Sequence, residues 1–226
     1  MPNALGPEQQ PNRALSHWAP PAVVIALAML SPLPVLAGQF SGTSLDPLSA
    51  PISQYVHLPG GYPMVLLGAW LLAGCGAVIA VDLLRDADSR QQQFAAGVLA
   101  SFAVALIVVG VVPTDPAGST VVSSRELVHR VAVGWAFLSL PLAGLVLARA
   151  PRLLGAVSAA ALSRLAVALL GGVLVFGSVQ LPLLAVGAGI PALGLVERIA
   201  FGFMIGYLIL LAVVLRSPAR IAVPVP

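Results

Sequence analysis

The sequence predicts an all-α integral membrane protein, a bundle of six transmembrane helices. Of its 226 residues, 59% are hydrophobic and 8% are charged, whereas soluble domains carry roughly 25% charged residues. Six apolar runs of about 20 residues are each long enough to cross the hydrocarbon core. These runs occupy nearly the whole chain. We therefore expect one transmembrane domain at residues 19–216, a disordered tail at 1–18 and a short tail at 217–226.

The first predicted span covers residues 19–38 and is interrupted by four prolines. Small residues at its end also fit a signal peptide, but the internal prolines and the long, weakly basic lead favour a retained helix. The connection at residues 39–63 is the longest polar one, and its Pro, Gly and Ser content excludes a continuous helix. We expect this loop to fold back over the mouth of the bundle as a lid, because long loops in compact proteins are often functional.

The other five spans follow at short intervals. We place them at about residues 64–81, 94–112, 124–149, 165–186 and 193–215. Pro141 is expected to kink the fourth predicted span. A GxxxG motif at Gly202 and Gly206 is expected to pack helices within the molecule rather than to join two copies. The sequence leaves the oligomeric state open.

The distribution of arginine predicts the topology. All eleven basic residues are arginines, and eight of them lie on the side of the two termini, against three on the other side. Because basic residues are enriched on the cytoplasmic side, both termini are predicted to be cytoplasmic and the long first loop external, in a multi-pass protein of the cell membrane. The arginines sit at span ends rather than on one face, which indicates membrane lipids and not nucleic acid as partners. A single cysteine, Cys75, excludes an intrachain disulfide and a thiolate metal site.

Ionisable residues from three connections converge on the predicted external face. Carboxylates that converge in a half-buried pocket repel one another, so one of them should keep its proton at neutral pH and serve as a general acid. The substrate would be an isoprenoid or lipid-like molecule, with proton-initiated terpene cyclisation as the most concrete reaction. The predicted catalytic residues are Asp115, Glu126, His129 and Glu197, and the predicted substrate-binding residues are Asp46, Tyr55, His57, Arg130 and Arg198.

Simpler interpretations compete at each carboxylate. Glu126 and His129 share a helix face, as in the Glu-x-x-His motif of di-iron bundles, but the motif occurs once, so we expect no metal and no other cofactor. Glu126 also fits a capping box with Ser123 and an ion pair with Arg130. A non-catalytic lipid-binding or regulatory bundle therefore remains an alternative, as does a small exporter, although Gln180 alone is little for a polar pathway.

Three motifs carry a family resemblance. They are Asp46-Pro-Leu-Ser-Ala-Pro-Ile-Ser53, Gly110-Val-Val-Pro-Thr-Asp115 and His129 at the start of the fourth span. In this order they resemble the uncharacterised bacterial membrane family catalogued as a domain of unknown function, number 998 in its series. The resemblance implies a six-helix bundle and little about activity. Val112 departs from that family, which commonly has Phe before Pro-Thr-Asp. A fainter similarity, in size and external acidic residues only, is to small membrane-bound terpene cyclases.

Overall fold

Among the residues that the structure describes, six helical segments are long and apolar enough to cross a membrane, the first of them at Pro21–Phe40. The computed structural model describes residues 19–40, 45–85, 87, 89–119, 121–150, 154, 156–185 and 192–215, and the two predicted tails lie outside them. The described part contains no strand, and the all-α prediction is confirmed. The helices are α1 (Ala19–Leu30), α2 (Leu33–Phe40), α3 (Gly61–Arg85), α4 (Arg90–Val111), α5 (Ser124–Ala148), α6 (Ala156–Ala185) and α7 (Leu193–Val214), with a short 3-10 helix at Ile52–His57.

The first span is divided into α1 and α2. Pro32 and Pro34 lack an amide hydrogen, so the regular pattern of helix hydrogen bonds is interrupted between the two segments. At the break, the buried hydroxyl of Ser31 donates a hydrogen bond to the carbonyl of Ala28 at 2.8 Å, so this buried polar group has a partner. Val24 and Ala28 of α1 are buried in the core, where α1 packs against α3 and α7.

The core of the bundle is formed by α3, α4 and α5, and α1, α7 and the N-terminal part of α6 complete it. Fully buried large side chains at its centre include Leu72, Leu99, Phe102, Leu140 and Leu208. Close approach between α5 and α7 requires glycine at one position. A Cβ atom added to Gly144 would lie 1.6 Å from the Oη atom of Tyr207.

Three sequence expectations need correction or a limit. Helix α6 begins at Ala156, nine residues before the predicted start, because the alanine-rich stretch before Arg164 continues the helix. Nothing lies within 4 Å of a Cβ added to Gly202 or Gly206, so the GxxxG motif does not pack another helix in the described part of the chain. The expected intramolecular use of this motif is wrong there. Helix α5 contains Pro141 and continues past it as one helix.

The polar connections that were expected to meet do lie at one end of the bundle. The 3-10 helix, the α4–α5 connection and the N-terminal part of α7 are joined there by hydrogen bonds, which link Ile52 to Glu197 and Gln54 to Asp115. We call this the polar end. That the polar end faces the outside of the cell stays a prediction.

Cysteine labelling tests the predicted orientation. In a background in which the buried Cys75 is replaced by alanine, Ser119→Cys places a thiol at an exposed position of the polar end, and Ala87→Cys places one at the opposite end. We expect a membrane-impermeant thiol reagent to label Ser119→Cys and not Ala87→Cys on intact cells, since the arginine-rich side should be cytoplasmic. Labelling of Ala87→Cys and not of Ser119→Cys would show that the topology is the reverse of the predicted one.

Candidate functional site

The segment of residues 46–58, here called the cover segment, lies over the polar end of the bundle. It is tied to α7 by the amide of Leu195, which donates to the Leu48 carbonyl at 3.0 Å. It is tied to the α4–α5 connection by Gln54, whose side chain donates to the Asp115 carbonyl at 2.9 Å and accepts from the Ala117 amide at 3.0 Å. The sequence predicted such a lid but not the role of Gln54, a polar loop residue with no distinctive pattern around it.

Arg198 and Tyr55 fasten the cover segment to α7. One guanidinium nitrogen of Arg198 donates to the carbonyls of Ala50 (3.0 Å) and Gly194 (2.8 Å), and the other donates to the hydroxyl of Tyr55 at 3.1 Å. The guanidinium carbon is 5.7 Å from the centre of the Tyr55 ring, within cation–π range. Tyr55 is only 2% exposed. These two predicted substrate-binding residues therefore make structural contacts in this structure.

Glu126 holds the α4–α5 connection in place. Its side chain is buried, and the Oε2 atom accepts hydrogen bonds from the hydroxyl of Thr114 and from the Asp115 amide (2.7 Å). The Oε1 atom accepts from Nε of Arg130 at 2.5 Å, while the Arg130 side chain stays 46% exposed. The predicted ion pair with Arg130 is confirmed. Both carboxylate oxygens accept hydrogen bonds from the protein, and these bonds hold the loop.

Asp115 completes the cap at the start of α5. Its two carboxylate oxygens accept from the hydroxyl (2.7 Å) and the amide (2.8 Å) of Ser123, and these bonds hold the pKa of the Asp115 carboxyl below its usual value. The Ser123 hydroxyl in turn accepts from the Glu126 amide at 3.1 Å. One of the two hydrogen bonds of the predicted capping box is therefore present, from the Glu126 amide to the Ser123 hydroxyl. The other is replaced, because the Ser123 amide donates to Asp115 and not to Glu126. An acid with a lowered pKa is a poor proton donor at neutral pH.

Asp46 and His57 also contact protein rather than a cavity. The carboxylate of Asp46 accepts from the Ser49 hydroxyl (2.8 Å) and from the amides of Leu48 and Ser49, which lowers the pKa of this exposed carboxyl. Such a pattern is that of an Asx turn. His57 is exposed, and its Nε2 atom lies 3.1 Å from the Thr114 carbonyl, which joins the cover segment to the α4–α5 connection.

A cavity of about 70 Å³ lies beneath the cover segment. Its wall is almost entirely apolar and is built from α2, α3, α4, α5 and α7, with Ile52 and Ser53 of the cover segment forming part of it. Two ionisable side chains line it, His129 from α5 and Glu197 from the start of α7. Of the four predicted catalytic residues, these are the two that the cavity brings together.

Each of these side chains is held by one backbone hydrogen bond. The Oε2 atom of Glu197 accepts from the Ile52 amide at 2.5 Å. The Nδ1 atom of His129 lies 2.7 Å from the Val112 carbonyl, which can only accept, so Nδ1 carries a proton. The remaining atoms, Oε1 of Glu197 and Nε2 of His129, have no hydrogen-bond partner among the described residues.

The neighbouring Arg198 is not the partner of Glu197, since its guanidinium group is directed to the cover segment. Within the described ranges, no group of three His, Cys, Asp or Glu side chains is placed to hold a metal ion. The side chain of Gln180, considered for a polar pathway, lies outside the described residues.

Comparison with known proteins places the chain in a family. The model of the family described as "Protein of unknown function (DUF998)" matches residues 22–214. No curated protein and no solved structure matches the chain. The match spans all six membrane-length helices and both motif-bearing connections.

Proposed function

The chain therefore belongs to the DUF998 family of proteins of unknown function, and from the geometry of its cavity we propose that it is a membrane-embedded enzyme. It would carry out acid–base chemistry on a lipid-like molecule. One observation carries the proposal. An otherwise apolar cavity at the polar end presents one carboxyl group, from Glu197, and one imidazole, from His129.

The two groups have the arrangement that acid–base chemistry needs. A catalytic proton donor or acceptor must be held in place yet keep one atom free for the substrate. Glu197 meets this condition through the bond of Oε2 to the Ile52 amide, and His129 through the bond of Nδ1 to the Val112 carbonyl. We assign Glu197 as the group that exchanges a proton with the substrate. His129 is the second group of the site that can give a proton to the substrate or take one from it.

The volume of the cavity limits the reaction. Sites that enclose a whole drug-sized ligand measure roughly 300–1,000 Å³, whereas this cavity measures about 70 Å³. Terpene cyclisation would require the enclosure of an entire isoprenoid chain, and of the aromatic side chains only Phe137 and Phe201 line the cavity. The geometry therefore favours chemistry at one end of a lipid-like molecule over cyclisation of the whole molecule.

Two other functions use the same bundle differently. A non-catalytic lipid-binding protein would need the cavity but not a proton-exchanging carboxyl group. An exporter would need a polar path through the membrane, whereas the buried polar side chains of the described residues are few: Ser31, Gln92, Thr114, Glu126, His129 and Ser139. We therefore retain lipid binding as the second candidate, distinguished from the first by whether Glu197 transfers a proton.

Proton transfer can be detected without knowing the substrate. The purified protein, reconstituted in nanodiscs with a total lipid extract of its host membrane, is incubated in D₂O, and the lipids are analysed by mass spectrometry. We expect a lipid that retains deuterium on carbon or changes mass. Glu197→Gln should lower the rate at least about 100-fold, the usual contribution of a general acid or base.

Asp46→Asn is the matched control, since it neutralises an exposed carboxylate outside the cavity and should leave the rate unchanged. Equal rates in the Glu197 and Asp46 variants would refute the assignment of Glu197. A wild-type protein that binds a lipid but never changes it would favour the non-catalytic candidate.

A further inference from the structure

We infer that the cavity receives the polar end of an uncharged amphiphile whose head group is a hydrogen-bond donor, and that its chain reaches the cavity from the membrane between α5 and α7. The inference rests on the proposed site, since it concerns what occupies that cavity. It is independent of whether Glu197 performs chemistry there.

The exposure of the cavity wall shows where the cavity opens. Every lining residue on α2 and α3 is buried: Val35, Val65, Gly68 and Ala69. By contrast, four of the seven lining residues on α5 and α7 are partly exposed, namely Val133, Phe137, Glu197 and Phe201. The other partly exposed lining residues are Val109 on α4, which packs beside α5, and Ile52 and Ser53 of the cover segment. Helix α7 packs mainly on α1 and makes few contacts with α5. The open side therefore lies between α5 and α7, along a surface that a membrane-spanning bundle presents to lipid.

Helix α6 does not seal this side closely. It runs beside α5 back towards the polar end, and from Val167 to Val179 none of its residues is buried. The half-buried positions in this stretch, among them Leu169, Val173 and Phe176, recur every three or four residues and so form one face. One side of α6 is thus turned towards the protein but packs only shallowly, which allows a lipid chain to lie beside it.

The volume decides how much of a molecule enters. A cavity needs roughly 10–15 Å³ of such volume to hold one water molecule, so a cavity of about 70 Å³ holds about five non-hydrogen atoms, that is, a head group and the first few carbon atoms. The rest of the molecule must remain outside, in the opening between α5 and α7. A ligand that is long, apolar and polar at one end satisfies both conditions.

The polar atoms of the cavity wall that have no hydrogen-bond partner indicate which kind of head group the cavity accepts. Oε1 of Glu197 accepts hydrogen bonds, and Nε2 of His129 accepts in the tautomer whose proton is on Nδ1. The hydroxyl of Ser53, which also lines the cavity, can donate or accept. Arg198 does not line the cavity. Its two terminal nitrogens donate to Ala50, Gly194 and Tyr55, and its Nε atom is buried without a hydrogen-bond partner among the described residues. A carboxylate or phosphate head would therefore carry its charge into an apolar surrounding that no cationic group of the described residues lines, where an unpaired charge is costly. A hydroxyl group can instead donate to Glu197 and occupy the cavity without a charge.

Photocrosslinking of the nanodisc-reconstituted protein tests both the proposed head group and the proposed route between α5 and α7. The probe is a long-chain primary alcohol with a diazirine in its chain, compared with the matching carboxylic acid and methyl ether. We expect the alcohol to label α5 and α7 about tenfold more than either analogue, since each analogue lacks the donated hydrogen bond or adds an unpaired charge. Val133→Trp, which fills the opening, should remove this labelling, and Val104→Trp on the exposed face of α4 should not.

Equal labelling by the acid or the ether would overturn the assigned head group. Labelling confined to α1 and α3, or unaffected by Val133→Trp, would overturn the route between α5 and α7. Selective labelling by the alcohol together with no deuterium in any lipid would sustain this inference and refute the proposed chemistry, so the two can fail separately.

Discussion

Replacement of Glu126 by alanine is expected to lower the free energy of unfolding by about 3 kcal/mol, because it strands buried hydrogen-bond donors whose loss of a partner costs roughly 1–3 kcal/mol each. The hydroxyl of Thr114 and the amide of Asp115 both donate to the Glu126 carboxylate, and Thr114 is itself buried. Arg130 also loses its ion pair, but its side chain is largely in solvent, where such pairs contribute little.

Thermal and denaturant unfolding of the purified protein in detergent measures this effect. Glu126→Gln is the matched variant, since it keeps the shape and one acceptor oxygen and should lose less stability than Glu126→Ala. Glu197→Gln should change stability little, because Glu197 makes one hydrogen bond, which the amide oxygen of glutamine can still accept. If Glu126→Ala unfolds like the wild type, Glu126 does not hold the α4–α5 connection.

The bundle and its polar end could be predicted because hydropathy and chain connectivity determine them directly. An apolar run of span length must form a helix in lipid to satisfy its backbone, so six runs gave six membrane-length helices. Alternate connections of such a bundle emerge at the same end, which brought residues near Ile52, Asp115 and Glu197 together as expected. The break in the first span was also visible, in Pro32 and Pro34.

Which carboxylate faces the cavity and which ones hold the loop could not be predicted in the same way. Asp115, Glu126 and Glu197 all lie at the polar end, and spacing alone makes each of them a candidate. Which one faces the cavity depends on the conformation of the α4–α5 connection, where the Ser123 amide binds Asp115 and frees Glu126 to bind Thr114. That choice rests on distances of a few ångströms within an irregular loop, for which the sequence has no periodic signal.

The contacts of the cover segment with Arg198 and Glu197 could likewise not be predicted from the sequence. Arg198 and Glu197 are adjacent in the sequence, which predicted a substrate-binding role for the one and a catalytic role for the other. In the structure their side chains diverge, to the backbone of the cover segment at Ala50 and Ile52 respectively. Only the docked loop supplies these partners, so its position had to be known before the two roles could be assigned.

Gly194→Ala is expected to displace the cover segment from the bundle. An added Cβ would lie 2.3 Å from the carbonyl oxygen of Ala50 and 2.6 Å from that of Pro47. Both atoms belong to the backbone, so no side-chain rotation relieves the contact. We expect overpacking of this kind to disfavour the docked segment by about 2 kcal/mol, which lowers the ratio of docked to undocked protein roughly 30-fold.

Hydrogen–deuterium exchange at the amides of Ile52–His57 measures the change in docking, because an undocked segment exposes them. Exchange in Gly194→Ala should be faster there and unchanged in the core of α3 and α4. Gly202→Ala, on the same helix, is the control, since nothing lies within 4 Å of the added Cβ and alanine favours a helix over glycine. It should leave exchange of the cover segment as in the wild type. If the two variants exchange alike, the close approach of α7 to Ala50 and Pro47 does not hold the cover segment in place.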